Sequence, residues 1–366
     1  MPDFKCDNTY EIHLKEYNEL VLGKYGISSK SAEREIICMS DRGNTVALTL
    51  YADMIFYKKL LRHKPYVDAF YLYMQAGGIK ISEEGKWYSD GAAYPLSFWM
   101  LGYYLINYKR EAFLLKCDTI PELEEMSIED RFASALDLAA TCLDYVKAPG
   151  AINLIGRIMR ETAASPGLFE KLKDRLNEIL GEHEFSDISE HINGADSVED
   201  FNDIADDFFV EAALGGYVYA CNNLALREAD KIIELMKSGS DEAEPMKSES
   251  DEAELDESIN KYIEYLKIAA DRYEPYAANR LGLFYRTGEI FGTTGKVTNR
   301  KYISNSIAKE YFQKATVYPD ENSAWAYLNL LKYYNNDYDK DIDLMNEHME
   351  YIRQLNPSVY DIAMEL

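Results

Sequence analysis

Two histidines and an aspartate at helical spacing come closest to a metal site in this chain. His183, Asp187 and His191 lie four residues apart, so on a helix they would share one face. A zinc peptidase of the HExxH type needs a second histidine at the position that Asp187 occupies. The surrounding segment, 182–197, reads as a loop rather than a helix. We therefore expect no metal site here.

Other patterns that bind ions or phosphates are incomplete. Residues 189–200 place Gly194 at the sixth position of a calcium loop, but Ser189 opens that loop and Asp200 closes it, where Asp and Glu are required. The segment FGTTGKV at 291–297 lacks the spacing and the final Ser or Thr of a phosphate-binding loop. The sequence also contains no GxSxG motif. We predict no catalytic residues, no cofactor and no metal, and a protein that is not an enzyme.

Amides and guanidinium groups that could bind a polypeptide recur at related positions. Asn153, Asn222 and Asn279 each lie two residues before the bulky residue of a helical signature described below. An asparagine amide both donates and accepts, as a peptide backbone does, and arginines favour carboxylates. The alternative is that these are ordinary polar positions. The candidate partner-binding groove consists of Trp99, Tyr103, Asn153, Arg157, Arg160, Asn222, Asn279 and Arg286.

The helices that would carry these residues are marked by a recurring signature. A small residue is followed four positions later by a bulky apolar residue and then directly by another small one. This spacing places all three on one helix face, where the small residues allow close approach of a second helix. The six copies are Ala47–Tyr51–Ala52, Ser97–Leu101–Gly102, Ala151–Ile155–Gly156, Ala220–Leu224–Ala225, Ala277–Leu281–Gly282 and Ala324–Leu328–Asn329.

A second series of amphipathic segments alternates with the first. Small and large residues there fall at i, i+3, i+4 and i+7, the stripe of a helix that packs on a neighbour. The two series predict repeated pairs of helices. The second segments are 69–76, 133–140, 205–212, 262–269 and 308–315.

The most complete pair spans 276–318 and resembles the Sel1-like repeat, a longer-looped relative of the tetratricopeptide repeat. The resemblance rests on Ala277, Leu281, Gly282, Tyr285 and Gly288, followed by Ala308, Tyr311, Phe312 and Ala315. Weaker copies extend it over roughly 40–335. It implies an all-α, right-handed α-solenoid of stacked antiparallel helix pairs, with about six to seven units. Successive signatures lie 50, 54, 69, 57 and 47 residues apart, which is longer and less regular than the family's period.

Charge and composition suggest how the chain is divided. Of its 366 residues, 47% are hydrophobic, and the net charge is −25. The segment 236–257 carries nine acids, two lysines and the duplicated MKSGSDEAEP/MKSESDEAEL, so we predict a flexible acidic linker there. The predicted organisation is a helical cap or atypical first unit at 1–39, repeats at 40–235, the linker, and further repeats with a capping helix at 258–366.

The same features limit partners and location. The acidic charge would repel a nucleic-acid backbone, and no apolar run approaches the ~20 residues of a membrane span. The first twenty residues lack the pattern of a secretory signal. Five cysteines without a CxxC pair are typical of buried thiols in a reducing compartment. We expect a cytoplasmic protein; its oligomeric state is left open.

These observations favour a non-catalytic scaffold or adaptor that binds a peptide or protein in the groove of its first helices. The first alternative is an inhibitor or immunity-type protein whose acidic surface covers a basic partner. The segment 182–226 supports this alternative, because it has eleven acids and no Lys or Arg. A remote alternative is an enzyme of unrecognised type. Groove binding would depend on the asparagines, whereas acid-driven binding would fall steeply with salt.

Overall fold

A computed structural model describes residues 29–56, 64–81, 87–89, 94–108, 119–182, 195–238, 249–317, 322–336 and 342–365. The chain forms two compact units, Met1–Gly215 and Gly216–Leu366. The first predicted helix of the cap, 11–22, lies outside the described residues. All three residues of the candidate metal motif, His183, Asp187 and His191, lie outside them as well.

Helices dominate the described part of the N-terminal unit. They are α1 Ser29–Asp41, α2 Thr45–Phe56, α3 Tyr66–Ala76, α4 Leu96–Asn107, α5 Pro121–Glu124, α6 Ile128–Tyr145, α7 Pro149–Ala163, α8 Pro166–Gly181 and α9 Val198–Leu214. A small antiparallel hairpin of β1 Ile79–Ile81 and β2 Trp87–Ser89 follows α3.

The C-terminal unit has the same character. Its helices are α10 Val218–Ser238, α11 Glu249–Asp271, α12 Pro275–Thr287, α13 Asn305–Lys314, α14 Ser323–Asn336, α15 Ile342–Leu355 and α16 Pro357–Ala363. An antiparallel hairpin of β3 Glu289–Phe291 and β4 Lys296–Thr298, then a 3₁₀ turn at Arg300–Tyr302, lie between α12 and α13.

Among the described helices, six pairs pack against each other in sequence order, which confirms the predicted all-α architecture. They are α2 with α3, α4 with α6 and α7 with α9 in the N-terminal unit, and α10 with α11, α12 with α13 and α14 with α15 in the C-terminal unit. Every copy of the signature lies in the first helix of a pair, and every segment of the second series lies in a second helix. The two short hairpins were not predicted.

Small residues of the signature let the paired helices meet almost backbone to backbone. A Cβ atom at Gly156 would lie 2.9 Å from the Ala205 carbonyl and 3.0 Å from the Phe209 ring. A Cβ atom at Gly282 would overlap the Phe312 ring. Bulky aromatic residues of the second helices therefore fill the space that the missing side chains leave, and the pairs are fully buried at these points.

Part of the segment predicted as a flexible acidic linker is helical in the structure. Residues 236–238 end α10, and residues 249–257 form the first turns of α11, while 239–248 lie outside the described residues. Two salt bridges fix the start of α11: Lys231 to Glu254 at 2.8 Å and Lys301 to Asp256 at 2.8 Å. Acidic residues are also favourable in the first turns of a helix, because they interact with its dipole. The flexible linker itself stays a prediction.

The last helix pair of the C-terminal unit is closed by α16. Val359 and Ala363 of α16 pack into a core formed with α14 and α15, which includes Leu328 and Ile352. His348 of α15 is also buried, and its ring lies 5.0 Å from the Tyr327 ring. Burial lowers the pKa of His348, because a charged imidazolium would lose its hydration there.

Replacing Gly282 with alanine should destabilise the protein. The new methyl group would force the Phe312 ring out of its position, at a cost of about 1–3 kcal/mol in the free energy of unfolding. Gly181→Ala is the matched control, because nothing lies within 4 Å of its Cβ position; there alanine should stabilise the helix by about 0.4–1 kcal/mol. Urea unfolding of both variants measures the difference, and equal stabilities would show that the α12–α13 contact is looser than described.

Buried His348 should make stability fall as the solution becomes acidic. Its pKa is lower in the folded chain than in the unfolded chain, so the unfolded state takes up the proton first as the pH drops below about 6.5. His348→Phe keeps a ring beside Tyr327 and removes the titration. We expect its free energy of unfolding to change less between pH 7.5 and pH 5.5 than that of the parent. Identical pH profiles would contradict this role of His348.

Candidate peptide-binding surface of the first helices

Neighbouring first helices in the N-terminal unit are joined by an arginine stacked on a tyrosine. Arg157 of α7 lies over the Tyr103 ring of α4, with its guanidinium carbon 5.1 Å from the ring centre. Its Nη2 donates to Asn107 Oδ1 and to Glu161 Oε1, both at 3.0 Å. Burial raises the pKa of Tyr103, and the Arg157 charge opposes that rise. Arg157 is thus held by a ring, an amide and a carboxylate.

The C-terminal unit repeats this arrangement with different helices. Arg286 of α12 lies 4.8 Å from the ring centre of Tyr333 in α14, and its Nη1 is 3.4 Å from Asn329 Oδ1. The other end of the same amide donates from Nδ2 to Asn279 Oδ1 at 3.2 Å. Both units therefore join successive first helices through one arginine, one tyrosine and at least one amide.

Arg160 joins the two helices of one pair instead of two first helices. Its Nη2 lies 2.6 Å from Asp206 Oδ1 of α9, and its guanidinium carbon lies 4.4 Å from the Phe209 ring centre. The side chains of Arg160 and Asp206 are only 26% and 11% exposed. The charge of Arg160 is therefore balanced within the chain, as is that of Arg157.

Three predicted groove residues lie in helix contacts. Asn153 and Trp99 are buried, at 4% and 8% exposure, and the Trp99 ring fills the space beside Gly150 at the start of α7. Asn222 Nδ2 donates to Glu274 at 3.0 Å, and Glu274 in turn caps the N-terminus of α12.

Helical periodicity does not show which face of a helix a neighbouring helix covers, so the surroundings of the three asparagines could not be predicted from their spacing. In the structure this position adjoins the next element in at least two pairs: Asn222 reaches the start of α12, and Asn279 reaches α14. Asn222 and Asn279 are therefore both hydrogen-bonded within the chain. Their role in binding stays a prediction.

The FGTTGK segment forms the turn of the second hairpin. It does not match a phosphate-binding loop, but its donors bind a carboxylate of the same chain. Asp230 of α10 accepts from the backbone N–H groups of Thr293 at 2.6 Å and Thr294 at 3.2 Å, and from the Thr293 hydroxyl at 2.6 Å. This anchor was missed by sequence reasoning. The available signal was a turn rich in glycine and threonine, whose N–H groups suit an anion.

The remaining chemical motifs add no site within the described residues. No group of three His, Cys, Asp or Glu side chains that could hold a metal occurs in that part of the chain. The end of the calcium-loop pattern is a helix start, where Ser197 and Asp200 cap α9 reciprocally. Cys142 and Cys221 are buried free thiols, as expected, whereas Cys38 is exposed.

Among the described helices, none combines the length and the apolar character needed to cross a lipid bilayer.

The fold of the described residues is that of a protein built from consecutive helix pairs. No protein-family model matches the chain. No curated protein matches it either. Among solved structures, it is similar to a protective antigen of uropathogenic Escherichia coli strains that displays an SLR fold, at 15% identity and a TM-score of 0.27. The match covers 89% of this chain but 65% of the antigen, so the chain spans just under two thirds of that protein's length.

The Arg160–Asp206 pair should matter more for stability than surface ion pairs do. Asp206→Asn would remove the carboxylate that lies 2.6 Å from the partly buried Arg160, so we expect a loss of about 1.5–3 kcal/mol in the free energy of unfolding. The matched control is Glu254→Gln, which removes the exposed partner of Lys231 and should cost less than about 1 kcal/mol. Chemical denaturation of both variants compares them. Similar losses of stability in the two variants would show that the contact between Arg160 and Asp206 contributes no more than a surface ion pair.

Proposed function

We propose that this protein is a non-catalytic helical-repeat scaffold that binds a peptide or protein partner along its first helices. The observation that carries the proposal is the alignment of first helices. α4 packs beside α7 and α12 beside α14, so equivalent positions of neighbouring helices form rows of polar and aromatic side chains. An extended polypeptide offers a donor and an acceptor at each residue, which such rows can match.

The contacts within these rows support binding by a preformed surface. Arg157, Asn107 and Tyr103 hold one another in place, as do Arg286, Asn329 and Tyr333, while the arginines remain partly exposed. A ligand would therefore not need to order these side chains when it binds, which lowers the entropic cost of association. The candidate groove residues keep this role as part of the proposal, with Asn153 and Trp99 acting as supports beneath the surface.

A second candidate function is the covering of a basic partner by an acidic surface. Glu199, Asp203 and Asp207 of α9 are exposed or nearly so. Among the described residues, no lysine or arginine forms an ion pair with Asp203 or Asp207. Carboxylates without a countercharge could meet a basic protein, and such binding would be sensitive to salt.

Site-specific photo-crosslinking distinguishes the two surfaces. A benzoylphenylalanine is placed in the native cell at Leu283 of α12, which is partly exposed and holds the same signature position as Tyr103 and Arg157. The matched variant carries the same group at the exposed Asp203 of α9. We expect a protein adduct from position 283, followed by a complex of the purified proteins whose Kd changes little between low and moderate salt.

The other outcomes decide against groove binding. An adduct formed only from position 203, with a complex that weakens steeply as salt rises, would favour the acidic surface. No protein adduct from either position would contradict the scaffold function.

A further inference from the structure

Charge is divided unequally between the two kinds of helix. In the six helix pairs, the first helices carry eight Lys or Arg and five Asp or Glu. The second helices carry six Lys or Arg and 23 Asp or Glu. Much of the net charge of −25 therefore belongs to the second helices. An acidic segment of a partner is repelled by the second helices and meets little repulsion at the first helices.

The first helices α12 and α14 of the C-terminal unit contain three basic residues and no acid. Arg280 and Arg286 belong to α12, and Lys332 belongs to α14. The two helices pack against each other, so they form a part of this unit that has cations but no carboxylate of its own.

The accessible side of α12 is one continuous arc. Successive residues of a helix are turned by about 100°, so the six partly exposed residues of α12 fall within an arc of roughly 120°. Buried residues fill the rest of the circumference. Arg280 and Arg286 lie at the two edges of the arc, and Leu283 lies midway between them. We call the arc the α12 face; its residues are Tyr276, Asn279, Arg280, Leu283, Arg286 and Thr287.

Neither arginine of the α12 face has a countercharge. Arg280 Nε and Nη2 donate to Tyr276 Oη at 3.0 and 2.7 Å. Arg286 Nη1 donates to Asn329 Oδ1 at 3.4 Å. Throughout the described ranges, no carboxylate lies within ion-pair distance of either guanidinium. The two arginines of α7, by contrast, each face a carboxylate. The arginines of the α12 face therefore keep N–H donors for a ligand.

Aromatic rings fix both guanidinium groups of the α12 face. The guanidinium carbon of Arg280 lies 5.0 Å from the ring centre of Tyr276 and 4.7 Å from that of Phe291 in β3. That of Arg286 lies 4.8 Å from the ring centre of Tyr333 in α14. A ring holds a cation in place without neutralising it. Little side-chain entropy is therefore lost when a carboxylate binds.

We propose that the α12 face binds an acidic segment of the protein partner in which two carboxylates flank an apolar side chain. This inference rests on the proposed scaffold function and names the chemistry of the segment that the first helices bind. One carboxylate pairs with Arg280 and the other with Arg286. The apolar side chain packs on Leu283, which removes apolar surface of both molecules from water.

The net charge of the chain limits how acidic this segment is. A long polyanion meets the repulsion of the whole protein, whereas two carboxylates meet two local cations. Salt weakens the local attraction and the long-range repulsion together, so the affinity changes little with salt, as it should for the scaffold function. A nucleic acid is the less favoured ligand, because its chain of phosphates extends beyond the two cations.

Selection of peptides tests this chemistry. Random dodecapeptides displayed on phage are selected against the full-length protein, after depletion on the double variant Arg280→Gln/Arg286→Gln. We expect the enriched sequences to contain two Asp or Glu flanking an apolar residue. Enrichment of basic or uncharged sequences, or no enrichment at all, would overturn the proposal.

Single variants then locate the contact. The enriched peptide is labelled with a fluorophore, and its Kd is measured by anisotropy. Arg280→Gln and Arg286→Gln should each weaken binding about three- to tenfold, the range for one charged contact that is partly exposed. Arg300→Gln, at an exposed arginine of the same unit, removes the same charge elsewhere and should bind as the parent does. Urea unfolding of each variant checks that the fold is kept.

Two results of these measurements contradict the α12 face as the site. One is the same affinity for the peptide in all three variants. The other is an oligothymidylate that displaces the peptide from the parent protein and binds more tightly, which would make a nucleic acid the ligand.

Failure of this inference and failure of the scaffold function give different results. If the partner crosslinked at position 283 binds the double variant as tightly as the parent, the acidic segment is wrong and the scaffold function stands. If acidic peptides bind the α12 face but no partner is crosslinked in the cell, the α12 face stands and the scaffold function fails.

Discussion

Close contact between the first and second helices of each pair is the constraint on which this structure depends. A glycine or alanine on one helix leaves room for an aromatic ring of the other, as Gly282 does for Phe312 and Gly156 for Phe209. Neither helix could bury its apolar stripe alone, so the free energy of folding comes from pairing and stacking. Residues on the remaining helix faces do not take part in this close packing, and most of the polar and charged side chains lie on those faces.

The treatment of charge follows from the same division. Arginines near helix contacts are matched inside the chain, by Glu161, by Asp206 or by the Asn329 amide. The excess of acids lies largely on exposed faces, such as that of α9. Arg280 differs from these arginines because aromatic rings, not a carboxylate, surround its charge.

The helices and their pairing could be predicted from the sequence because they depend on spacing along one chain. The spacing of Ala277, Leu281 and Gly282 predicts that they share one helix face, without knowledge of the neighbouring helix. Phe312 belongs to the apolar stripe of the second helix of that pair. The site was less predictable, because periodicity gives the face of Asn222 but not the glutamate that approaches it from the next pair. The hairpin anchor at Asp230 joins residues more than sixty apart, with no pattern linking them.

That anchor changes how the C-terminal unit can come apart. A solenoid held only by neighbour contacts can lose one helix pair at a time from either end. The second hairpin follows α12, packs on α10 and is held there by hydrogen bonds to Asp230. It therefore connects the pair of α12 and α13 to the pair of α10 and α11. Separating the pair of α10 and α11 from the pair of α12 and α13 requires these hydrogen bonds to break. Under a pulling force, these two pairs should therefore yield together, whereas the pair of α14 and α15 is not held by this contact.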